Sequence, residues 1–242
     1  MAAPSDSYAS DTRAANSASP SPGAGTFYVV FFAAGMTGCY GQHRPRAFPR
    51  DSGTVARGGV RVIAGAARGR RLVVPPGARP TADRVREAVF SALGDVQDAS
   101  VLDLYAGSGA LAIEALSRGA GRALLVDRDR ASVDACERNL EAADVADRGR
   151  VQRSAALAVL RSPPPAEAPF DLVLVDPPYE ATADDVAGVL DALGRPGWLG
   201  AGARVVVERA VREAPVALPS TWEVAWERRY GDTLVVVLRE QD

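Results

Sequence analysis

Lysine is absent from this chain, and all 28 of the basic residues among its 242 are arginine. Together with the abundance of alanine, this is the composition of a GC-rich genome and says nothing of function. Histidine is nearly absent too. His43 stands alone in the leading segment, so histidine-dependent catalysis and histidine-rich metal sites are excluded. Two cysteines, Cys39 and Cys136, are too few and too scattered for a disulfide framework or a zinc site, which points to a reducing cytoplasm. Cys136 falls in a helical pattern and reads as a small core residue. Neither cysteine follows a proline in a loop suited to a covalent nucleophile. Long apolar runs are lacking as well. The stretch 27–36 is far short of the about 20 residues a membrane helix requires, and it lacks the compact basic start of a signal peptide. No internal repeat is present.

At 47% apolar residues the chain can bury one substantial core, or a core with an appendage. Residues 1–59 differ from the rest. Ser, Ala, Pro and Gly dominate up to Thr26, and 44–59 carries no periodicity, so a disordered extension is expected there. A misplaced start codon explains such a segment, with the functional protein beginning near Val55 or Val60. Residues 60–95 read as a basic hairpin (60–63 with 72–74) followed by a helix over 82–93. Residues 96–242 read as an α/β domain with strands at 100–105, 122–127, 149–153, 170–176, 203–208, 222–229 and 233–239. Helices between most of these strands imply a doubly wound, Rossmann-like sheet of seven strands, mostly parallel. The last two strands form an antiparallel hairpin around 230–232.

The most informative stretch is Phe170 to Tyr179, in which an apolar strand delivers Asp176, Pro177, Pro178 and Tyr179 into one turn. Both prolines have fixed φ and no N–H, so the turn is stiff and their carbonyls are acceptors. The Asp176 carboxylate adds further acceptors, and Tyr179 offers a face on which a nucleobase can stack. Acceptors beside a stacking ring suit the exocyclic amine of a base. That amine is a poor nucleophile because its lone pair is delocalised into the ring. Hydrogen bonds from its N–H groups to Asp176 and a proline carbonyl would draw the nitrogen toward tetrahedral geometry and stabilise the charge developing on it.

One strand and helix series upstream, Val101 to Ala112 runs from an apolar strand through Gly107-Ser108-Gly109 into a helix over 110–118. Glycines allow close backbone approach to a ligand, and the helix start offers N–H groups and positive potential. The pattern satisfies the dinucleotide fingerprint G-x-G-x-x-G/A, which alone is weak. Asp103, four residues before the first glycine, is placed to meet a ligand ammonium. Asp127 ends the next strand about 20 residues on, where an acid takes ribose hydroxyls. Asp127 supports a nucleoside cofactor without choosing between NAD and S-adenosylmethionine. Asp129 reads as a helix N-cap, and Glu114 with Arg118, four apart on a helix, as an ordinary surface pair.

These motifs resemble the cofactor and catalytic motifs of amine-directed class I methyltransferases. Arg61 to Gly65, Arg68 to Leu72 and Arg79 to Glu87 are similar to the opening of the RsmD-type 16S rRNA guanine-N2 methyltransferases, and the resemblance runs from about Val60 to the C-terminus. It implies methyl transfer from S-adenosylmethionine to N2 of a guanine in 16S rRNA, within a small-subunit particle, by a cytoplasmic monomer using neither membrane nor metal. Carried onto this chain, Asp103, Gly107 and Gly109 would line the methionine end, Asp127 would hold the ribose, Tyr105, Ala106, Arg128 and Ala155 would also bind the cofactor, and Asp176 to Tyr179 would receive the base. Where relatives tend to carry Asn or Asp near the adenine, this chain has Ala155, so backbone groups or packing would hold that ring.

The charge pattern agrees with an RNA acceptor. Residues 60–90 hold seven arginines (Arg61, Arg68, Arg70, Arg71, Arg79, Arg84 and Arg86) against Asp83 and Glu87, a local excess of five positive charges in a chain of net charge −2. Of these, Arg68, Arg70, Arg71, Arg79, Arg84 and Arg86, with Thr81, are the candidate RNA contacts, because arginine forks match phosphate geometry. The alternatives are a solvated arginine-rich surface, a DNA amine methyltransferase, an NAD-dependent oxidoreductase and a non-catalytic RNA-binding protein on a methyltransferase scaffold. A DNA enzyme would need a further target-recognition region. An oxidoreductase leaves Asp176 to Tyr179 without a task, and a binding scaffold does not require both Asp103 and the intact proline turn. The cysteine-dependent pyrimidine-C5 methyltransferases are disfavoured by the lack of a suitable cysteine.

Overall fold

A computed structural model describes residues 60–76 and 82–241. The expectations for residues 1–59 therefore lie outside the described residues. At the centre of the fold is β3 (Ser100–Leu104), whose five residues are all buried. A strand buried on both faces carries apolar residues without alternation, as strands of parallel sheets do. It pairs in parallel with β4 (Arg122–Asp127) on one side and β6 (Phe170–Val175) on the other. β5 (Gly149–Arg153) and β7 (Leu199–Ala210) extend the parallel sheet outward from β4 and β6. β8 (Trp222–Tyr230) and β9 (Thr233–Glu240) form the expected antiparallel hairpin, with β9 inserted between β7 and β8. The strand order is β5-β4-β3-β6-β7-β9-β8. It reverses direction between β3 and β6, and α/β sheets bind ligands in the crevice at such a switch point, outside the carboxyl ends of the strands.

Alternate residues of the central strands feed two cores. Val101, Leu125, Leu172 and Leu174 pack with α1 (Asp83–Leu93), α2 (Ala110–Ser117) and α3 (Arg130–Ala142). Leu102, Leu124, Val173 and Val175 pack with α4 (Ala156–Leu160) and α5 (Ala183–Leu193) on the other face. The sheet is thus covered on both sides, and the carboxyl ends of β3, β4 and β6 meet along one edge.

The N-terminal extension is a two-residue-per-strand hairpin, β1 (Val60–Arg61) with β2 (Arg71–Leu72), shorter than the sequence pattern suggests. It is fastened to α2 by buried polar groups. Ile63 and Ala64 donate their N–H groups to the two oxygens of Glu114 at 2.7 and 3.0 Å. Ser117 accepts the Ala67 N–H and donates to Ala64 O. Glu114 is therefore no member of a surface pair. It is fully buried, and Arg118 Nε closes on it from the half-buried side at 2.8 Å. Helical spacing reports that two residues share a face, but not that another segment lies against it.

Among the described residues no helix is long and apolar enough to cross a membrane. No group of three or more His, Cys, Asp or Glu among them is placed to hold a metal ion.

Candidate active site

The turn after β3 is held in an unusual backbone path. Tyr105, Gly107 and Gly109 have φ of 73°, 55° and 75°, a region costly for any residue with a Cβ. Tyr105 and Ala106 both donate their N–H groups to Val126 O at 3.0 Å, which ties the turn to β4. Gly109 is required by space as well as by φ. A Cβ there would stand 2.8 Å from Leu125 Cδ2 and 3.2 Å from Cys136 Sγ. At Gly107 a Cβ would meet only Tyr105 O, at 3.9 Å. Cys136 is buried as expected, with Sγ 3.4 Å from Gly107 O, and burial pushes its thiol pKa up.

Three carboxylates gather around this turn. Asp103, 1% exposed at the end of β3, accepts the Ala112 N–H on Oδ2 at 3.2 Å, whereas its Oδ1 is buried with no partner. Burial raises its pKa from 3.8 to about 8. The Ala112 hydrogen bond opposes the rise, and the nearby charges of Asp176 and Asp127 reinforce it. Asp127 follows the last core residue of β4 and uses both oxygens on backbone, taking Gly107 N–H at 2.8 Å and Asp129 N–H at 2.9 Å. Arg128 is exposed beside it, and its carbonyl accepts from Arg153 Nε. Ala155 is exposed at the N-cap position of α4.

Asp129 occupies the N-cap position of α3, but its side chain makes no capping bond to the backbone. It instead lies 3.4 Å from Ser132 Oγ. The Asp129 N–H donates to Asp127 Oδ1.

Asp176 follows the end of β6 and is partly buried, as is Pro177, while Pro178 and Tyr179 lie at the surface. Of the two proline carbonyls, that of Pro178 is already engaged by the Ala181 N–H at 2.9 Å. Pro177 thus becomes the better acceptor. The turn is closed by a capping box at the start of α5, in which Thr182 and Asp185 exchange side-chain and backbone hydrogen bonds. The Tyr179 ring is 54% exposed, and the Arg212 guanidinium stands 5.9 Å from its centre. Burial raises the pKa of Tyr105, on the same edge, with Asp185 as the second cause.

The candidate RNA contacts separate. Arg68, Arg70 and Arg71 are all exposed on the hairpin, and Arg84 is exposed on α1. Arg86 is not on the surface. Its side chain is 0% exposed, and Nη2 donates to Arg61 O at 2.8 Å and to Asp83 at 2.6 Å, so it braces the hairpin from inside. Arg79 and Thr81 lie outside the described residues.

Several residues at the site have no signature in the sequence. Asn139, buried on α3, donates to Ser108 O and Val73 O at 2.8 Å each and accepts the Val73 N–H at 2.7 Å, joining the glycine turn to the hairpin. Glu114 and Arg212 are the others. Each acts across sequence separations that no local pattern encodes.

Comparison with known proteins points one way. The family model described as "Conserved hypothetical protein 95" matches residues 60–239. Ribosomal RNA small subunit methyltransferase D of Escherichia coli (strain K12) is 40% identical over 186 residues, covering 76% of this chain and 89% of that protein. The protein of the same name from Haemophilus influenzae is 33% identical over 180 residues, covering 73% and 91%. A solved Escherichia coli structure, "Putative methyltransferase yhhF", superposes with a TM-score of 0.68 at 34% identity, covering 76% of this chain and 99% of its own.

Proposed function

The chain belongs to the RsmD-type rRNA methyltransferase family, and from that membership we propose that it moves a methyl group from S-adenosylmethionine to the exocyclic N2 amine of one guanine in 16S rRNA. The observation that carries this reading is the meeting of the Asp176 turn with the glycine turn, at the carboxyl ends of the paired strands β6 and β3. An amine-accepting turn beside a nucleoside-binding turn is the arrangement the reaction needs.

The residues fit the cofactor. Asp103 Oδ1, buried and without a partner, suits the ammonium of the methionine moiety. Asp127, oriented by the Gly107 and Asp129 N–H groups, retains lone pairs for ribose hydroxyls. Tyr105, Ala106, Gly107 and Gly109 form the wall between them. Arg128 and Ala155 border the nucleoside end, and the ring there rests on backbone groups or packing. S-adenosylmethionine, when bound, supplies an electrophilic methyl group on a sulfonium.

The chain's own task is then to prepare the nitrogen. Asp176 and the Pro177 carbonyl accept hydrogen bonds from the two N–H groups of the amine, pull its lone pair out of conjugation and favour the positive charge that develops on it, and one of those protons then leaves through Asp176 to solvent. Tyr179 stacks the base. No covalent enzyme intermediate and no metal are called for. The acceptor is rRNA within a small-subunit particle in the cytoplasm, met by a monomer. Residues 60–95 are its RNA-binding part, and residues 96–242 its transferase domain. Arg68, Arg70, Arg71 and Arg84 meet phosphates, and Arg79 and Thr81 are proposed as further RNA contacts. Arg86 contributes by holding the hairpin.

The test is tritiated-methyl transfer to three acceptors: naked 16S rRNA, small-subunit particles from cells deleted for the gene, and DNA. Incorporation into a guanine-N2 position of RNA is expected. Methylation of DNA alone, or of no nucleic acid despite tight cofactor binding, overturns the proposal.

A further inference from the structure

We infer that Arg212 is a phosphate clamp for the acceptor nucleotide, gripping its backbone while the base stacks on Tyr179; this rests on the acceptor-site reading above. Pairing of Val175 with Val207 sets the end of β7 beside the end of β6, so the turn that follows β7 borders the Asp176 turn. That turn is firmly held. Arg209 Nε pairs with Glu213 at 2.6 Å, with the two side chains 8% and 20% exposed. The Val211 N–H donates to Asp232 O at 2.8 Å, and the Glu213 N–H to Ala210 O at 3.0 Å. Arg212 sits between these anchors, exposed, with its guanidinium 5.9 Å from the Tyr179 ring centre.

Its neighbour Arg209 is committed to Glu213, whereas Arg212 is exposed beside the Tyr179 ring. The cleft itself is acidic. Asp127 and Asp176 lie near enough to Asp103 for their charges to act on it, so a cation at the rim favours the approach of a polyanion. The hairpin arginines cannot meet this need from all sides, because the hairpin is fastened to α2 and α3, flanking β3 and β4. Arg212 stands across β6 from them. A base stacked on Tyr179 and reaching through its ribose to its own phosphate spans the short distance from ring to guanidinium. The planar fork of arginine suits that phosphate oxygen pair.

The experiment compares Arg212→Ala and Arg212→Lys with Arg228→Ala. Arg228 makes a similar contact, 5.6 Å from the Tyr230 ring on β8, away from the acceptor turn. With gene-deleted small-subunit particles as acceptor, Arg212→Ala is expected to raise KM about tenfold with kcat within about twofold, and to lower the salt slope of particle binding by about one unit. Arg212→Lys should keep the slope and recover part of KM. Cofactor affinity and thermal stability should stay at wild-type values, and Arg228→Ala should match the wild type throughout. Unchanged KM and slope for Arg212→Ala overturn the clamp. So does an equal effect from Arg228→Ala, or a loss of stability or cofactor affinity that accounts for the KM change. Asp176→Ala is run alongside. If it turns over normally, the acceptor-site reading itself fails; if it is inactive while Arg212→Ala is normal, only the clamp fails.

Discussion

Asp127 Oδ2 accepts the Gly107 N–H at 2.8 Å. The acid that ends β4 thus fixes the glycine turn that follows β3, and the two halves of the proposed nucleoside site are oriented by each other. Asp127→Ala should therefore damage cofactor binding twice, through the lost ribose acceptor and through a loosened turn. Asp127→Asn, which keeps an acceptor oxygen, should lose less. Calorimetry with S-adenosylmethionine checks the order, and equal losses for the two variants would deny the turn-fixing role.

Asp176→Ala should nearly abolish methyl transfer while cofactor affinity stays close to wild type, since in the proposed mechanism this carboxylate serves the acceptor amine. Loss of one preorganised charge-stabilising contact costs about 10²- to 10³-fold in rate. Single-turnover assays at saturating cofactor measure it. Near wild-type turnover would sink the proposed chemistry.

The two glycines of the turn should respond differently. Valine at 109 meets Leu125 and Cys136 inside ordinary contact distance, and overpacking of this kind costs ~1–3 kcal/mol before the left-handed backbone is counted. Gly109→Val should lower the melting temperature markedly. A Cβ at 107 meets only Tyr105 O, at 3.9 Å. Gly107→Val should leave a more stable fold than Gly109→Val and show its loss in S-adenosylmethionine binding. Comparable melting temperatures for the two would contradict this division.

Asp103 predicts a pH signature. Its carboxyl titrates near 3.8 in the unfolded chain and at about 8 in the fold. Between those values the folded state holds a proton that the unfolded state has lost, so this residue makes stability fall as pH rises from about 4 to about 8. Asp103→Asn does not titrate. Its melting temperature relative to wild type should climb across that window, while its cofactor affinity is lower. In the wild type, affinity should improve as pH approaches 8, since an ammonium favours the ionised carboxylate. The ligand's own amine affects both proteins alike, so the difference between them isolates Asp103. Parallel pH curves would show that Asp103 is not the group responsible.

The centre of the sheet was legible because β3, β4 and β6 are almost wholly buried and read as apolar runs. β4 has the expected bounds 122–127, and β3, β5, β6, β8 and β9 lie within a residue of theirs. β7 starts earlier than expected, at Leu199, which pairs with Phe170 ahead of an irregular stretch, Gly200 to Ala203, that carries no strand signal of its own; regular pairing with β6 and β9 begins at Arg204. The acids and glycines of the site were legible because each ends a strand or opens a helix. Glu114, Arg86 and Asn139 were not. Burial of a charged or amide side chain is decided by the segment that lands on it, here the hairpin, and the local sequence is silent about that partner.

The hairpin arginines can be tested apart from the hairpin's attachment. Glu114→Gln turns one of two accepting oxygens into a donor facing the Ile63 or Ala64 N–H, and leaving such a group unsatisfied costs ~1–3 kcal/mol. Hydrogen exchange at residues 63 and 64 should quicken, and RNA affinity should fall because the hairpin is no longer held. The triple variant Arg68→Ala, Arg70→Ala and Arg71→Ala leaves the attachment intact and removes only exposed charge. Binding to phosphate proceeds through counterion release, so each arginine that touches RNA should lower the salt slope by about one unit when lost, without a matching change in cofactor affinity. A slope reduced by the triple variant but not by Glu114→Gln would separate contact from positioning. An unchanged slope and affinity in the triple variant would mean that this patch is only a solvated surface and that the RNA is held elsewhere.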